Sequence, residues 1–120
     1  MKRYIKASEE RYPGWCEKVR RAVDASGLSD RIQKYEEDND AEYPCVYVTL
    51  KSPYVCKYYN RVGCFINEII LAPNQADYIS PGQPELLFTV SNNLSDNAAT
   101  ARLIKLNDKI SEMTQRKQQQ

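Results

Sequence analysis

The segment that decides the fold is EYPCVYVTLKSPYVCKYYNRVGCFINEIIL, residues 42–71. It contains five of the nine tyrosines, three of the four cysteines and many β-branched residues. In the run from Cys45 to Leu50, apolar residues alternate with a period of two, and tyrosine, valine and isoleucine favour extended backbone. The segment therefore predicts the strands of a sheet.

Four strands are predicted, at residues 45–50, 54–59, 64–71 and 85–90. The third is apolar on both faces apart from Asn67 and Glu68, so we expect it to be central. Asn60–Gly63 predicts a hairpin turn before it. The twelve residues 73–84 contain three prolines and one glycine, and they are longer than the usual connection.

Helices are predicted on both sides of this strand-rich middle. The first opens at Pro13 and Gly14, and Gly27 caps its C-terminus. One face of this helix is apolar, with Trp15, Val19, Ala22 and Val23. A second short helix is predicted from Ser29, in which Leu28, Ile32 and Tyr35 share a side before an acidic run begins.

A terminal helix is predicted after Ser95 or Asp96, either of which can act as its N-cap. Its apolar residues step by four, three, four and three, at Ala99, Leu103, Leu106, Ile110 and Met113. This stripe either covers the open face of the sheet or pairs with its copy. The chain is accordingly expected to be a monomer or a homodimer.

These elements predict an α+β fold in the order α-α-β-β-β-β-α. We expect a mostly antiparallel four-stranded sheet with helices on one face. Residues 1–117 form a single predicted domain, since 120 residues suffice for one core. Residues 118–120, the end of a polar glutamine run, are expected to be a disordered tail.

Composition argues against most catalytic chemistry. The chain has no histidine, which removes the commonest general base and neutral metal ligand. The four cysteines, at 16, 45, 56 and 64, are not paired closely enough for a zinc site, and a cysteine nucleophile would lack its usual base. The glycines stand apart, so no phosphate-binding loop is present. We therefore expect no enzyme activity, no metal and no cofactor.

Paired carboxylates are the remaining catalytic alternative. Glu68 lies in the strand expected to be central, and Glu42, Asp77 or Glu85 could supply a second acid. Two carboxyl groups in unlike environments can act as acid and base. The spacing matches no catalytic motif, and a single strand glutamate more often faces solvent, so this hypothesis ranks below the binding hypotheses.

No apolar run is long enough for a membrane span, and the basic opening is followed by no apolar stretch. We expect a cytoplasmic protein without membrane contact, whose cysteines stay reduced. The net charge of +1 conceals a segregation, because residues 1–35 carry nine basic and five acidic side chains whereas residues 36–42 carry five acids. That surplus of basic residues is smaller than nucleic-acid binders usually carry.

Two features are typical of protein interfaces. Tyrosine rings are common anchors, and Tyr58, Tyr59 and Tyr78 are the candidates here. The acids Glu36, Glu37, Asp38 and Asp40 could supply electrostatic complementarity to a basic partner. The alternative interpretation of such a run is a solvated linker.

A second binding hypothesis concerns Lys57, Tyr58, Tyr59 and Arg61, where basic and aromatic residues are interleaved. Such a surface can stack bases while neutralising phosphates, which predicts single-stranded nucleic-acid binding. Strand alternation places Tyr58 and Tyr59 on opposite faces, and no glycine–aromatic RNA-binding motif surrounds them. The hypothesis is kept as the alternative to protein binding.

The opening residues Met1-Lys2-Arg3-Tyr4-Ile5-Lys6-Ala7-Ser8 resemble the start of small accessory proteins of phages and mobile elements of Gram-positive bacteria. The resemblance covers eight residues and no functional site. It implies a small inhibitor that acts by binding a host defence protein, as anti-CRISPR proteins do. No binding residue can be carried over from it.

Overall fold

A computed structural model describes residues 12–38, 44–56, 64–73, 77–79, 85–112 and 114–115. They form an α+β fold, as predicted. The elements are α1 (Trp15–Ser26), a 3-10 helix (Leu28–Arg31), β1 (Ile32–Asp38), β2 (Cys45–Cys56), β3 (Cys64–Ala72), β4 (Tyr78–Ile79), β5 (Glu85–Thr89), α2 (Asp96–Ser111) and β6 (Thr114–Gln115). Neither α1 nor α2, the two α-helices of the described residues, has the length and hydropathy needed to cross a membrane.

The strands form one sheet in the order β1-β2-β3-β5-β4, with β6 beside β2. The pairing of β3 with β5 at the centre of the sheet is parallel, whereas the pairings on either side of it are antiparallel. The sheet is therefore mixed, and the prediction of a mostly antiparallel sheet is wrong. A parallel pair needs a long connection, and residues 73–84 provide one that also contributes β4.

The strands predicted at 45–50 and 54–59 are one strand, because β2 continues through Ser52 and Pro53 to Cys56. Its pairing with β3 shifts register between Thr49 and Tyr54. A bulge of this kind accommodates a proline, which cannot donate to the ladder. Beyond the shift, β6 pairs with β2 at Tyr54 and Val55.

The second predicted helix is wrong. Only Leu28–Arg31 is helical, in 3-10 geometry, and the chain then enters β1. Ile32 and Tyr35 lie beyond the 3-10 helix and pair with Leu50 and Val48 of β2. The edge of β2 offers hydrogen-bond partners to an extended segment. This tertiary pairing outweighs the local preference of these residues for a helix. The helix count therefore differs from the prediction by this one element, and the order differs further, because β1, β4 and β6 were not predicted and the first two predicted strands are one strand.

Helix α1 begins at Trp15, just after the predicted opening at Pro13 and Gly14, and ends just before the predicted Gly27, whose φ of 85° is a left-handed cap that glycine adopts without strain. The Trp15 indole Nε1 donates to the Val90 carbonyl at 2.7 Å. Lys18 Nζ donates to the carbonyls of Asn92 and Leu94 at 2.8 and 2.7 Å. These bonds hold α1 against the segment between β5 and α2.

The terminal helix packs inside the chain. Ser95 is its N-cap and accepts from the Ala98 amide at 3.1 Å. Four of its five predicted stripe residues, Ala99, Leu103, Leu106 and Ile110, are fully buried, and Met113 lies outside the described residues. Because this stripe belongs to the chain's own core, the described part of it is not free to pair with a copy.

The core lies between the two helices and one face of the sheet. Its sheet side consists of alternate residues of three neighbouring strands, which the register places side by side: Val46 and Val48, Ile69 and Leu71, Leu86 and Phe88. All six are at most 2% exposed. The alternate residues between them point to the opposite face.

The single predicted domain of residues 1–117 stays a prediction, and the predicted tail 118–120 lies outside the described residues.

Candidate functional site

The face of the sheet opposite the helices carries a row of residues that crosses five strands. The register joins Glu36, Tyr47, Ile70, Leu87 and Tyr78, one from each of β1, β2, β3, β5 and β4. Tyr47, Ile70 and Leu87 are partly exposed. We call the face that contains these three residues the open face.

Acidic residues flank this row. The next row joins Lys34, Thr49, Glu68 and Glu85, and Asp38 lies opposite Cys45 on the other side. Four acids and one lysine thus occupy in-register positions of the open face. Lys34 Nζ lies 3.5 Å from Glu36 Oε2, and both side chains are well exposed. The surface is apolar along its middle and negatively charged beside it.

Two ionisable groups of the open face stay neutral near neutral pH. Burial, followed by the nearby Asp38 carboxylate, raises the pKa of the Cys45 thiol. Burial, followed by Cys45 and Asp38, raises the pKa of the Tyr47 hydroxyl. A raised thiol pKa lowers the fraction of thiolate, which is the nucleophilic form. Cys45 therefore remains a thiol in a half-buried strand position and is poorly suited to act as a nucleophile.

A cleft of about 580 Å³ lies on the helix side of β1. We call it the β1 cleft, and the residues that line it are Arg20, Val23, Asp24, Ser29, Ile32, Tyr35 and Glu37. Helix α1, the 3-10 helix and β1 each contribute to its wall. Its volume falls within the range of small-molecule pockets, roughly 300–1,000 Å³.

The Tyr35 hydroxyl of this cleft is buried and has no hydrogen-bond partner among the described residues. Burial, followed by the charge of Glu37, raises the pKa of this hydroxyl well above its usual value of 10.0. Tyr35 therefore stays protonated. A buried hydroxyl without a partner costs roughly 1–3 kcal/mol, so it marks strain or a place where a water or a ligand can bind.

Arg20 and Glu37 form an ion pair at the mouth of the cleft. Both Nε and Nη2 of Arg20 donate to Glu37 Oε2, at 3.0 and 2.6 Å. These bonds raise the pKa of Arg20. The Arg20 side chain is 54% exposed and that of Glu37 21%, so solvent screens the pair. Asp24, the third charged residue of the cleft, forms no ion pair with another described residue.

The structure divides the predicted acidic surface between two faces. Glu36 and Asp38 pair with open-face residues of β2, whereas Glu37 pairs with the buried Val46 and lines the β1 cleft. Tyr78 occupies the β4 position opposite Leu87, at the end of the apolar row. Asp40, Lys57, Tyr58, Tyr59 and Arg61 lie outside the described residues.

The structure brings together one of the carboxylate pairs considered from the sequence. Glu68 and Glu85 are neighbours on the parallel strands β3 and β5. Asp77 is not part of this pair. It accepts two hydrogen bonds from Arg102 and one from the Thr89 amide. Glu42 is outside the described residues. Within the described ranges, no three His, Cys, Asp or Glu side chains are grouped so that they could hold a metal ion.

Several site residues were missed from the sequence. The alternation of Cys45, Tyr47 and Thr49 with buried residues was visible, but the partners of Tyr47 across the sheet depend on strand order. Tyr35 was assigned to a helix, so neither its hydroxyl nor the β1 cleft could be anticipated. The only sequence signal for a strand at this position was the pair Ile32 and Tyr35 before the acids, because isoleucine and tyrosine favour extended backbone.

Comparison with protein-family models, with curated proteins and with solved structures finds no match for this chain. The chain's own residues therefore carry the functional inference.

Proposed function

We propose that this protein binds another protein through the open face of its sheet and does not catalyse a reaction. The observation that carries the proposal is the row of Tyr47, Ile70 and Leu87, which crosses three adjacent strands and is flanked by acids. Interfaces commonly have an aromatic and aliphatic centre with a polar rim.

The charge of the open face favours a partner with a basic surface. Four acids and one lysine occupy its in-register positions, and Lys51, exposed next to the buried Leu50, adds a second cation by strand alternation. The acids remain in excess, and they attract a surface that carries lysine and arginine around an apolar centre. Electrostatic attraction of this kind speeds association and weakens as salt screens it. The partner we propose is accordingly a protein with a basic surface.

The narrower hypothesis is that the partner is a host defence protein and that this chain is a phage or mobile-element inhibitor. It is supported only by the resemblance of residues 1–8, and these lie outside the described residues. Many defence proteins must hold nucleic acid and so present basic surfaces, which an acidic face would complement.

The test begins with affinity capture from the native host and continues with the purified captured protein. In the open-face variant, Glu36→Gln, Glu68→Gln and Glu85→Gln remove three charges. A matched control, Asp30→Asn, Asp108→Asn and Glu112→Gln, removes three exposed acids elsewhere. Affinity is measured by calorimetry at two salt concentrations, and thermal unfolding checks that both variants fold.

We expect the open-face variant to lose about tenfold or more in affinity and most of its salt dependence. The control should bind as the original protein does. A third variant, Ile70→Thr with Leu87→Thr, keeps the charges and strand propensity but removes apolar contacts, and it should weaken binding at both salt concentrations. Equal affinity of the open-face variant and the control would contradict the proposal.

The alternative proposal, single-stranded nucleic-acid binding, depends on Lys57, Tyr58, Tyr59 and Arg61, which lie outside the described residues. The described open face carries a surplus of acids, which repels phosphates. A titration with labelled single-stranded DNA at the same two salt concentrations separates the two functions. Tight binding that weakens steeply with salt and is lost in Lys57→Gln with Arg61→Gln would favour nucleic acid.

A further inference from the structure

The β1 cleft lies on the opposite side of β1 from the open face, and the proposed protein interface leaves it unused. Tyr35 and Glu37 reach the cleft, whereas their neighbours Glu36 and Asp38 belong to the open face. A ligand in the cleft would therefore not compete for the same side chains. The cleft calls for a separate interpretation.

Charge indicates which ligands the cleft would accept. Its lining contains Asp24 and Glu37 against one cation, Arg20, and Arg20 already donates twice to Glu37. Asp24 remains as a carboxylate without an ion-pair partner among the described residues. The surplus is one negative charge, which attracts a cation.

Hydrogen bonding gives a second, independent indication. Tyr35 lines the cleft, and its hydroxyl is buried and without a partner in the described part of the chain. The hydroxyl oxygen has lone pairs that can accept a hydrogen bond from an N–H donor. A ligand that satisfies this oxygen recovers the cost of burying it unpaired.

The remaining lining determines the body of the ligand. Val23 and Ile32 present apolar surface, and the Tyr35 ring extends it. Val23 itself is only 2% exposed, so it forms the floor of the cleft. The open volume of about 580 Å³ admits a molecule the size of a substituted ring.

We propose that the β1 cleft is a binding site for a small organic ammonium ion, which pairs with Asp24 and donates a hydrogen bond to the Tyr35 hydroxyl. Its apolar body packs against Val23 and Ile32. Solvent reaches little of the Tyr35 oxygen, so a side chain that lines the cleft has to move as the ligand enters, and Arg20, whose charge acts on the Tyr35 hydroxyl, is the one we expect to move. Arg20 is 54% exposed, and a pair held at the surface costs little to rearrange.

The test uses three probes that share one ring and differ in charge: benzylammonium, benzyl alcohol and benzoate. Each is titrated into the ¹⁵N-labelled full chain, and the amide shifts of Asp24, Ser29 and Tyr35 are followed by NMR. Benzylammonium should give saturable shifts with a Kd in roughly the millimolar range, as expected for so small a ligand. Benzyl alcohol should bind about tenfold more weakly, and benzoate should not saturate.

Variants connect the binding to the named groups. Asp24→Asn should weaken benzylammonium about tenfold, and Tyr35→Phe should weaken it severalfold. Asp108→Asn, which removes an exposed acid outside the cleft, should leave the Kd unchanged. The open-face variant should also leave it unchanged, so this inference and the proposed function succeed or fail separately.

Equal binding of the three probes, or benzylammonium binding that Asp24→Asn does not weaken, would overturn the proposal. Absence of saturable shifts at Asp24, Ser29 and Tyr35 would overturn it as well. Thermal unfolding of each variant shows that a loss of binding does not come from a loss of fold. Asp24 is exposed and Tyr35→Phe keeps the ring, so both variants are expected to fold.

Discussion

Two arginine–carboxylate pairs hold opposite edges of the same sheet, and they differ in what surrounds them. Arg102 and Asp77 join α2 to the β4–β5 side, whereas Arg20 and Glu37 join α1 to β1. Arg102 Nη2 lies 2.8 and 2.9 Å from the two oxygens of Asp77, and its Nε donates to the Thr89 carbonyl at 2.6 Å. Its guanidinium also stacks 4.1 Å from the centre of the Phe88 ring.

The Arg20 pair lacks these supports. Both of its hydrogen bonds reach one oxygen of Glu37, and the arginine is 54% exposed compared with 31% for Arg102. An ion pair contributes to stability when it is desolvated, two-pronged and tied to the backbone. We therefore infer that the β4–β5 edge is held firmly and that the β1 edge is the adaptable one.

The largest expected effect comes from Arg102→Ala. It leaves the partly buried Asp77 and the Thr89 carbonyl without their partner, so the free energy of unfolding should fall by about 2–3 kcal/mol. Urea denaturation measures the loss. Arg102→Lys keeps the charge but not the planar fork, and it should recover only part of the stability. A loss below about 0.5 kcal/mol would show that the two edges are alike.

The next effect is a loss of stability at alkaline pH that originates at the β1 edge. The Tyr35 hydroxyl has its pKa raised in the folded protein, so above pH 10.0 the unfolded chain releases a proton that the folded chain retains. The unfolded state then binds fewer protons, and stability falls as pH rises, by at most about 1.4 kcal/mol per pH unit. Tyr35→Phe should flatten this decline, which urea denaturation between about pH 9 and pH 11 measures.

At neutral pH the same substitution, Tyr35→Phe, should stabilise the free protein. It removes a buried hydroxyl that has no partner among the described residues, which is worth about 1 kcal/mol, while the ring stays packed. Thermal unfolding without ligand measures the gain. A loss of stability would mean that the hydroxyl has a partner in the folded chain, and the argument for the β1 cleft would lose its second support.

The smallest effect is expected for Arg20→Ala. The pair it breaks is exposed and screened, so the change in unfolding free energy should be a few tenths of a kcal/mol. The small loss should shrink further in high salt. A loss as large as that of Arg102→Ala would contradict the difference between the two edges.

Prediction from the sequence succeeded for the elements whose formation depends on residues close to one another in the chain. Helix α1 and its Gly27 cap, and the stripe of α2, were predicted because periodicity and capping act over a few residues. Alternation separated Val46, Val48 and Leu50 from the other residues of β2 for the same reason, although it did not decide which of the two sets is buried. Those elements meet where α1 and α2 cover the sheet.

Predictions failed where a residue's conformation depends on a distant partner. Ile32 and Tyr35 were predicted as part of a short helix, but residues 32–38 pair with the edge of β2 and form β1. The predicted interface acids are also divided by the strand. Glu37 lies on the face opposite to Glu36 and Asp38, because neighbouring residues of a strand point to opposite faces.

The sequence by itself determined an α+β chain with two amphipathic helices and a strand-rich middle, without histidine or a phosphate-binding loop. Only the tertiary structure decided that β5 lies parallel to β3 and that β1 borders a cleft with a tyrosine hydroxyl that has no partner among the described residues. Local patterns determine which face of an element is apolar, whereas hydrogen bonding between strands far apart in sequence determines which elements become neighbours.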